Sequence, residues 1–287
     1  MASQTTLPYF APQSVLPAKL PTIEEILKGK KIPSAHYVVA RVGEHFVVKY
    51  GENVQLQEGE NMLFVRQCTS VPLPTVYALY HDEKTNWNFI VMEYIPGRSL
   101  SSAWKDMTAS EKATVALQLR RNMDELRKVP SPGYYGGIWR QGILDSTFTD
   151  PDSGAPLGDE TITGPHETEE QWNDAMWSCV NALMRSRERE KLPVYRMLYK
   201  NMFKGHEPVF THADFCPANI ILRDDNKGVV MIDWQYSGWY PTYWEYGLAM
   251  TQLDHSEDWW EYLQSILTPY FAELGWMKIH RESMLFQ

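Results

Sequence analysis

Apolar and polar positions change rhythm along the chain. Over the first hundred residues they fall in short β-branched and aromatic blocks, and after that they recur at three- and four-residue spacing. Thr22-Ile23-Glu24-Glu25 has the spacing of a capping box, with Gly29 placed to end a short helix. Tyr37 to Arg41 and His45 to Tyr50 are rich in valine and aromatics around Gly43-Glu44, which predicts a hairpin. Glu58 to Arg66 turns helical, and Pro72 and Pro74 close that stretch. Val76 to Tyr80 and Phe89 to Tyr94 predict a second strand pair across the polar turn His81 to Asn86, and Pro96-Gly97 breaks it. Beyond it Thr108 and Glu111 form another capping box, followed by Ala113, Ala116, Leu117, Leu119, Met123 and Leu126 on helical spacing. Thr168 and Gln171 open a further helix carrying Trp172, Ala175, Met176, Cys179, Val180 and Leu183. The stripes predict core packing. Between these helices, Pro130 to His166 is rich in Gly, Pro and Asp and longer than an ordinary connection, which predicts a functional loop. The order implies an N-terminal arm over 1–21, a strand-rich lobe over 22–97 and a larger, mainly helical lobe over 98–287.

Composition narrows the function classes. The 287 residues hold 27 basic and 36 acidic side chains, a net charge of −9. That balance lacks the basic footprint of a nucleic-acid binder, so no nucleic-acid partner is expected. Charged residues are 22% and hydrophobic residues 44%, which excludes a wholly disordered chain. Cys68, Cys179 and Cys216 are scattered and show no metal spacing, so they are expected as reduced thiols in a cytoplasmic protein. No run approaches 18 apolar residues, and the first twenty positions lack the layout of a secretory signal, so no membrane partner is expected. A monomer or weak dimer is expected.

The chemistry concentrates in Phe210-Thr211-His212-Ala213-Asp214-Phe215-Cys216-Pro217-Ala218-Asn219 and the residues after it. Ile220-Ile221-Leu222 predicts a strand, Asp224 to Gly228 a turn, and Val229 to Ile232 a return strand ending at Asp233. Tight pairing places Asn219, before the first strand, beside Asp233, after the second. Asp214 lies five residues before Asn219. Two oxygen-bearing ligands and a carboxylate thus gather at one end of a hairpin. Phosphoryl transfer asks for this set, with oxygen ligands for magnesium and a carboxylate for the attacking hydroxyl. D-x-x-x-x-N is also the spacing of kinase catalytic loops. Independently, Lys49 ends an apolar strand, the position from which a kinase lysine reaches nucleotide phosphates, and Glu58 opens the next helix as its ion-pair partner. Glu93, Tyr94 and Ile95 would then form a hinge whose backbone meets an adenine edge. His212 is expected to hold the loop through its side chain, and Cys216 to pack.

These segments, with Thr69 to Pro74, Ile90 to Gly97, Ile232-Asp233-Trp234, Gly238 to Pro241 and Tyr243 to Tyr246, resemble the aminoglycoside phosphotransferase and choline kinase-like family, in its fungal-type branch. The resemblance spans roughly residues 22 to 275. It implies an α+β, bilobal, protein kinase-like fold. It also implies an ATP- and magnesium-dependent phosphotransferase acting on a hydroxyl of a small molecule. Lys49 would be the phosphate lysine, Glu58 its partner, Asp214 the catalytic base, and Asn219 and Asp233 the magnesium ligands. Three departures stand out. Ala213 occupies a position where the family usually has glycine. Gln235 follows Asp-Trp where many members have glutamate. No glycine-rich loop is present, so Pro33 to His36 would have to cover the phosphates. They motivate an alternative, a kinase-fold protein that has lost phosphoryl transfer and binds or transforms a metabolite in the same cleft. For the acceptor, Trp239, Tyr240, Tyr243 and Trp244 either hold an amine by cation–π contact or pack as a helix on the lobe. Asp254 and Asp258 either form an acidic rim for a cationic acceptor or open a solvated helix. Tyr134, Tyr135 and Asp145 are candidates to close over the acceptor.

Overall fold

The computed structural model describes residues 2–34, 37–149, 155–158, 160–183, 190, 192–225, 228–252 and 258–285. In chain order its elements are β1 (Tyr9–Phe10), α1 (Ile23–Lys28), β2 (Lys30–Ile32), β3 (Val38–Val42), β4 (Phe46–Gly51), α2 (Gln57–Cys68), β5 (Val76–Asp82), β6 (Trp87–Glu93), β7 (Gly97–Ser99) and α3 (Leu100–Ala103). There follow α4 (Ala109–Leu126), α5 (Glu169–Leu183), α6 (Leu192–Met202), β8 (Pro208–Thr211), β9 (Ile220–Arg223), β10 (Val229–Met231), β11 (Gly238–Pro241), α7 (Trp244–Thr251), α8 (Trp259–Ile266) and α9 (Phe271–Leu285). They divide into two compact units, one of residues 1–103 and 218–235, the other of residues 104–217 and 236–287. The expected boundary near Gly97 therefore moves to Ala103, and the hairpin after the Asp214 loop belongs with the first unit. The physical reason is pairing: β9 bonds to β7 in the register Arg98↔Leu222, so that hairpin completes a sheet begun in the first hundred residues.

The first unit is built on a six-stranded antiparallel sheet of order β1-β5-β6-β4-β3-β2. The N-terminal arm supplies its edge, with Tyr9 opposite Leu79. Alternation along β4 sends Phe46, Val48 and Tyr50 into one core with Ile26, Ala40, Tyr77, Phe89 and Val91. Each valine, isoleucine or phenylalanine among them contributes about 1.5–3 kcal/mol on burial. The opposite parity places Lys49 on the other face, toward α2. That helix lies close against β5 because Gly59 has no side chain: a Cβ there would come within 2.1 Å of the Leu79 side chain. Both expected capping boxes form, Thr22 with Glu25 on α1 and Thr108 with Glu111 on α4.

The second unit packs α5, α6, α7 and α9 around Trp172, Phe148, Tyr199, Phe203, Tyr243 and Trp244. Trp172 is the hub, edge-on to Trp244, Tyr240 and Phe148 at centroid separations of 5.0, 5.4 and 4.9 Å. The segment 130–166, expected as a loop closing over an acceptor, is largely structural in its described part. Tyr135 and His166 bond as a bridge, Gly136 bonds to Trp239, and Ile143, Phe148 and Ile162 are buried. Asp145 is 3% exposed and accepts from the Trp244 indole N–H at 3.0 Å. Tyr134 and Tyr135 are buried as well. Among the described residues no helix is long and apolar enough to cross a membrane.

Candidate active site

Lys49 is 4% exposed, a burial that an ammonium tolerates only with charged partners. Its Nζ donates to Glu58 Oε2 at 2.6 Å, to Asp233 Oδ1 at 3.3 Å and to Gln235 Oε1 at 3.4 Å. The Tyr37 ring lies over Nζ, 4.2 Å from it to the centroid. The Tyr37 hydroxyl in turn accepts from Gln235 Nε2 at 2.6 Å. Burial alone would lower the Lys49 ammonium, but Glu58 and Asp233 together hold it above its ordinary range. Burial pushes the Glu58 carboxyl up to about 7; Lys49 opposes that rise and Asp233 adds to it. The lysine is thus a fixed cation, and Asp233, whose side chain is 40% exposed, carries the accessible carboxylate of the group.

Asp233 is set by the hairpin beneath it. Met231 pairs with Ile220, and the next N–H, that of Ile232, bonds to the Asn219 carbonyl at 2.9 Å. Asn219 and Asp233 therefore flank the same end of the β9–β10 pair, as the spacing predicts. Asp233 adopts φ +62°, a costly conformation for a residue other than glycine. The residue after it holds it there. Trp234 is fully buried, its carbonyl accepts from Asn61 Nδ2 at 2.8 Å, and its indole N–H bonds to Met231 O at 3.0 Å. Two residues that can offer side-chain oxygens, Asn219 and Asp233, are of the donor type that suits magnesium. Among the described residues no group of three His, Cys, Asp or Glu makes an all-protein metal cage.

Asp214 belongs to the second unit, on the loop after β8. That loop is clamped by one buried carboxylate. Glu245 of α7 is 1% exposed and accepts from the His212 N–H at 2.8 Å and the Ala213 N–H at 3.0 Å. Ser237 Oγ donates to the His212 carbonyl at 3.1 Å, and Arg127 donates to the Phe210 carbonyl. His212 Nδ1 accepts from the Asp214 N–H at 3.2 Å, the loop-holding contact expected of it. Ala213 has φ +64°, the conformation a glycine there would supply freely. The substitution does not unfold the turn, because its N–H is one of the two that Glu245 binds.

The remaining expectations fare differently. Trp239 and Tyr240 are 3% and 0% exposed, in β11 and the core beside it, so they are corrected from substrate aromatics to core residues. Gly238–Pro241 pairs with β8, and the helix begins only at Trp244. Asp258 accepts from Lys112 at 2.8 Å and from the Trp104 indole at 2.7 Å, an ion pair that ties the start of α8 to α4. Asp254, Ala35 and His36 lie outside the described residues. In the segment expected as a hinge, the N–H groups of Glu93 and Tyr94 are donated to the carbonyls of Thr75 and His45, and the Glu93 carboxylate accepts from Thr75. The residues missed in the sequence are Glu245, Asn61, Tyr37 and Arg127. Glu245 had a signal, a lone carboxylate among Tyr243, Trp244 and Tyr246 at a helix start.

A buried lysine–glutamate pair thus meets a strand-end aspartate beside an antiparallel sheet with one close helix. The family model for phosphotransferase enzymes of the APH type matches residues 37–280. The chain belongs to that family. Solved aminoglycoside phosphotransferases share the fold. The GDP complex of wild-type aminoglycoside 2'-phosphotransferase-IIIa superposes with a TM-score of 0.55 at 15% identity, over 88% of this chain and 82% of that one. The streptomycin-ATP ternary complex of APH(2")-IIa gives 0.53 at 18% identity, over 91% and 83%. The ADP-bound APH(2'')-Ib gives 0.53 at 17% identity, over 88% and 80%. Among curated proteins, subtelomeric hrmA-associated cluster proteins of two Aspergillus fumigatus strains are 25% identical over 118 residues. That match takes in 40% of this chain and only 22% of those relatives. The APH family fold is the bilobal α+β kinase-like one, as the resemblance implies.

Proposed function

We propose that this APH-family protein is an ATP- and magnesium-dependent phosphotransferase acting on a hydroxyl of a small molecule. The observation that carries the reading is the Lys49–Glu58–Asp233 constellation, with Asn219 across the same hairpin end. In this reading Lys49 binds the nucleotide phosphates, and Glu58 keeps its ammonium in place. Asn219 and Asp233 hold magnesium, which offsets phosphate charge when bound. Backbone groups of Glu93 to Ile95 would meet an adenine edge; the Glu93 and Tyr94 N–H groups themselves serve Thr75 and His45. Asp214, on a loop braced by Glu245, orients the acceptor hydroxyl and takes its proton as the oxygen attacks the terminal phosphorus. The solved relatives named above carry ATP, ADP or GDP and, in one case, streptomycin, which supports a nucleotide donor and a small-molecule acceptor here.

The test is ADP release from Mg-ATP by the purified protein across amines, sugars, amino alcohols and aminoglycosides. One acceptor class should stimulate release. Asp214→Ala should lower that release by about 10²–10⁴-fold while leaving the melting temperature unchanged. Full turnover in the variant removes Asp214 from the role. The second reading, a kinase-fold protein that no longer transfers phosphate, draws on the saturation of Lys49 by Gln235 and Tyr37. It predicts Mg-ATP binding or none, but no acceptor-dependent release.

A further inference from the structure

An ammonium group has three protons to donate. All three of Lys49 point at acceptors inside the first unit: Glu58, Asp233 and Gln235. Over them lies the Tyr37 ring, and the Tyr37 hydroxyl is bonded back to Gln235. A phosphate oxygen that reaches this lysine must take the place of one acceptor. Glu58 is 3% exposed beneath the lysine and cannot move aside without leaving a buried charge. The movable part is the neutral one, Gln235 with Tyr37, which are hydrogen-bonded to each other and hold Lys49 through a long hydrogen bond from its ammonium to Gln235 and a cation–π contact with Tyr37. Gln235 is also a neutral residue where a glutamate would have tied the lysine by charge and resisted displacement.

We infer that Tyr37 and Gln235 form a latch over the phosphate lysine that nucleotide must displace, so that this pair sets nucleotide affinity. The inference rests on the reading of Lys49 as the phosphate lysine. Breaking the latch tightens nucleotide binding, the opposite of what loss of a substrate contact or of a merely structural side chain produces. A desolvated cation–π contact together with one neutral hydrogen bond scales the gain to about tenfold in Kd. Tyr37→Phe keeps the ring and frees Gln235, so it realises only part of the gain. Tyr37→Ala realises more of it.

Calorimetric titration with Mg-ADP, which is not turned over, tests the latch on the full chain. The expected order of Kd is wild type weakest, Tyr37→Phe intermediate and Tyr37→Ala tightest. Gln235→Ala should tighten binding and leave Tyr37→Phe nothing to add in the double variant. Equal or weaker binding by the Tyr37 variants, with wild type binding, overturns the latch and leaves the phosphotransferase reading standing. Absence of Mg-ADP binding in every form, including folded Tyr37→Ala, overturns both.

Discussion

Ala213 shows how a single residue departs from expectation without breaking the site. Alanine at φ +64° is disfavoured, yet the loop keeps that turn because Glu245 binds the N–H groups of His212 and of Ala213 itself. The strain of the left-handed conformation and the entropy that glycine would lose on folding are of similar size. Ala213→Gly is therefore expected to change stability by less than about 0.5 kcal/mol, with acceptor-dependent ADP release retained. Ala213→Val, β-branched at positive φ, should cost about 2 kcal/mol or more. Chemical denaturation of the two variants decides it, and a glycine variant that is strongly destabilised contradicts the argument. Lys49, Glu58, Asn219 and Asp233 were legible because strand ends, a helix start and a hairpin register are local patterns. Tyr37, Asn61 and Glu245 were not, because each acts on a partner far away in sequence, as Asn61 does on Trp234. The aromatic run 239–244 misled for a related reason: composition does not say which face of an aromatic is covered.

At the scale of elements, one histidine joins several parts of the second unit. His206 precedes β8, and its Nδ1 meets Glu169 of α5 at 2.8 Å while its Nε2 meets Glu273 of α9 at 3.1 Å. Its carbonyl accepts from the Tyr135 hydroxyl, and its ring packs edge-on to Tyr243. Burial would lower the ring, but the two glutamates outweigh it and raise it above the ordinary histidine value. A raised value in the fold means stability that is complete below the ordinary histidine pKa and lost as pH rises through the folded one. Thermal unfolding of His206→Gln should thus trail wild type by about 2 kcal/mol at pH 6 and by much less at pH 9. A gap that stays constant or widens with pH contradicts the paired imidazolium. Helices and strands with strong periodicity were legible in the sequence, including both capping boxes. The short strands β1, β7, β8 and β11 were not, since each exists only through its pairing with a distant segment, and segment 130–166 was misread because Gly and Pro content conceals its buried Ile143, Phe148 and Ile162.

For the whole molecule, the chain divides its chemistry between two units. Residues 218–235 return to the first unit, where Asp233 meets Lys49, while Asp214 stays with the second. On the proposed function, the donor side and the proton acceptor are separable by measurement, since nucleotide binding is then expected to depend on the first unit's cluster and not on Asp214. The most direct test of the central claim is a calorimetric titration of Mg-ATP into wild type and into Asp233→Asn, each repeated with the magnesium chelated. The account predicts binding by wild type that needs magnesium and weakens at least about tenfold (about 1.4 kcal/mol) in the variant. Equal affinity in the two proteins, or binding indifferent to the metal, would contradict it.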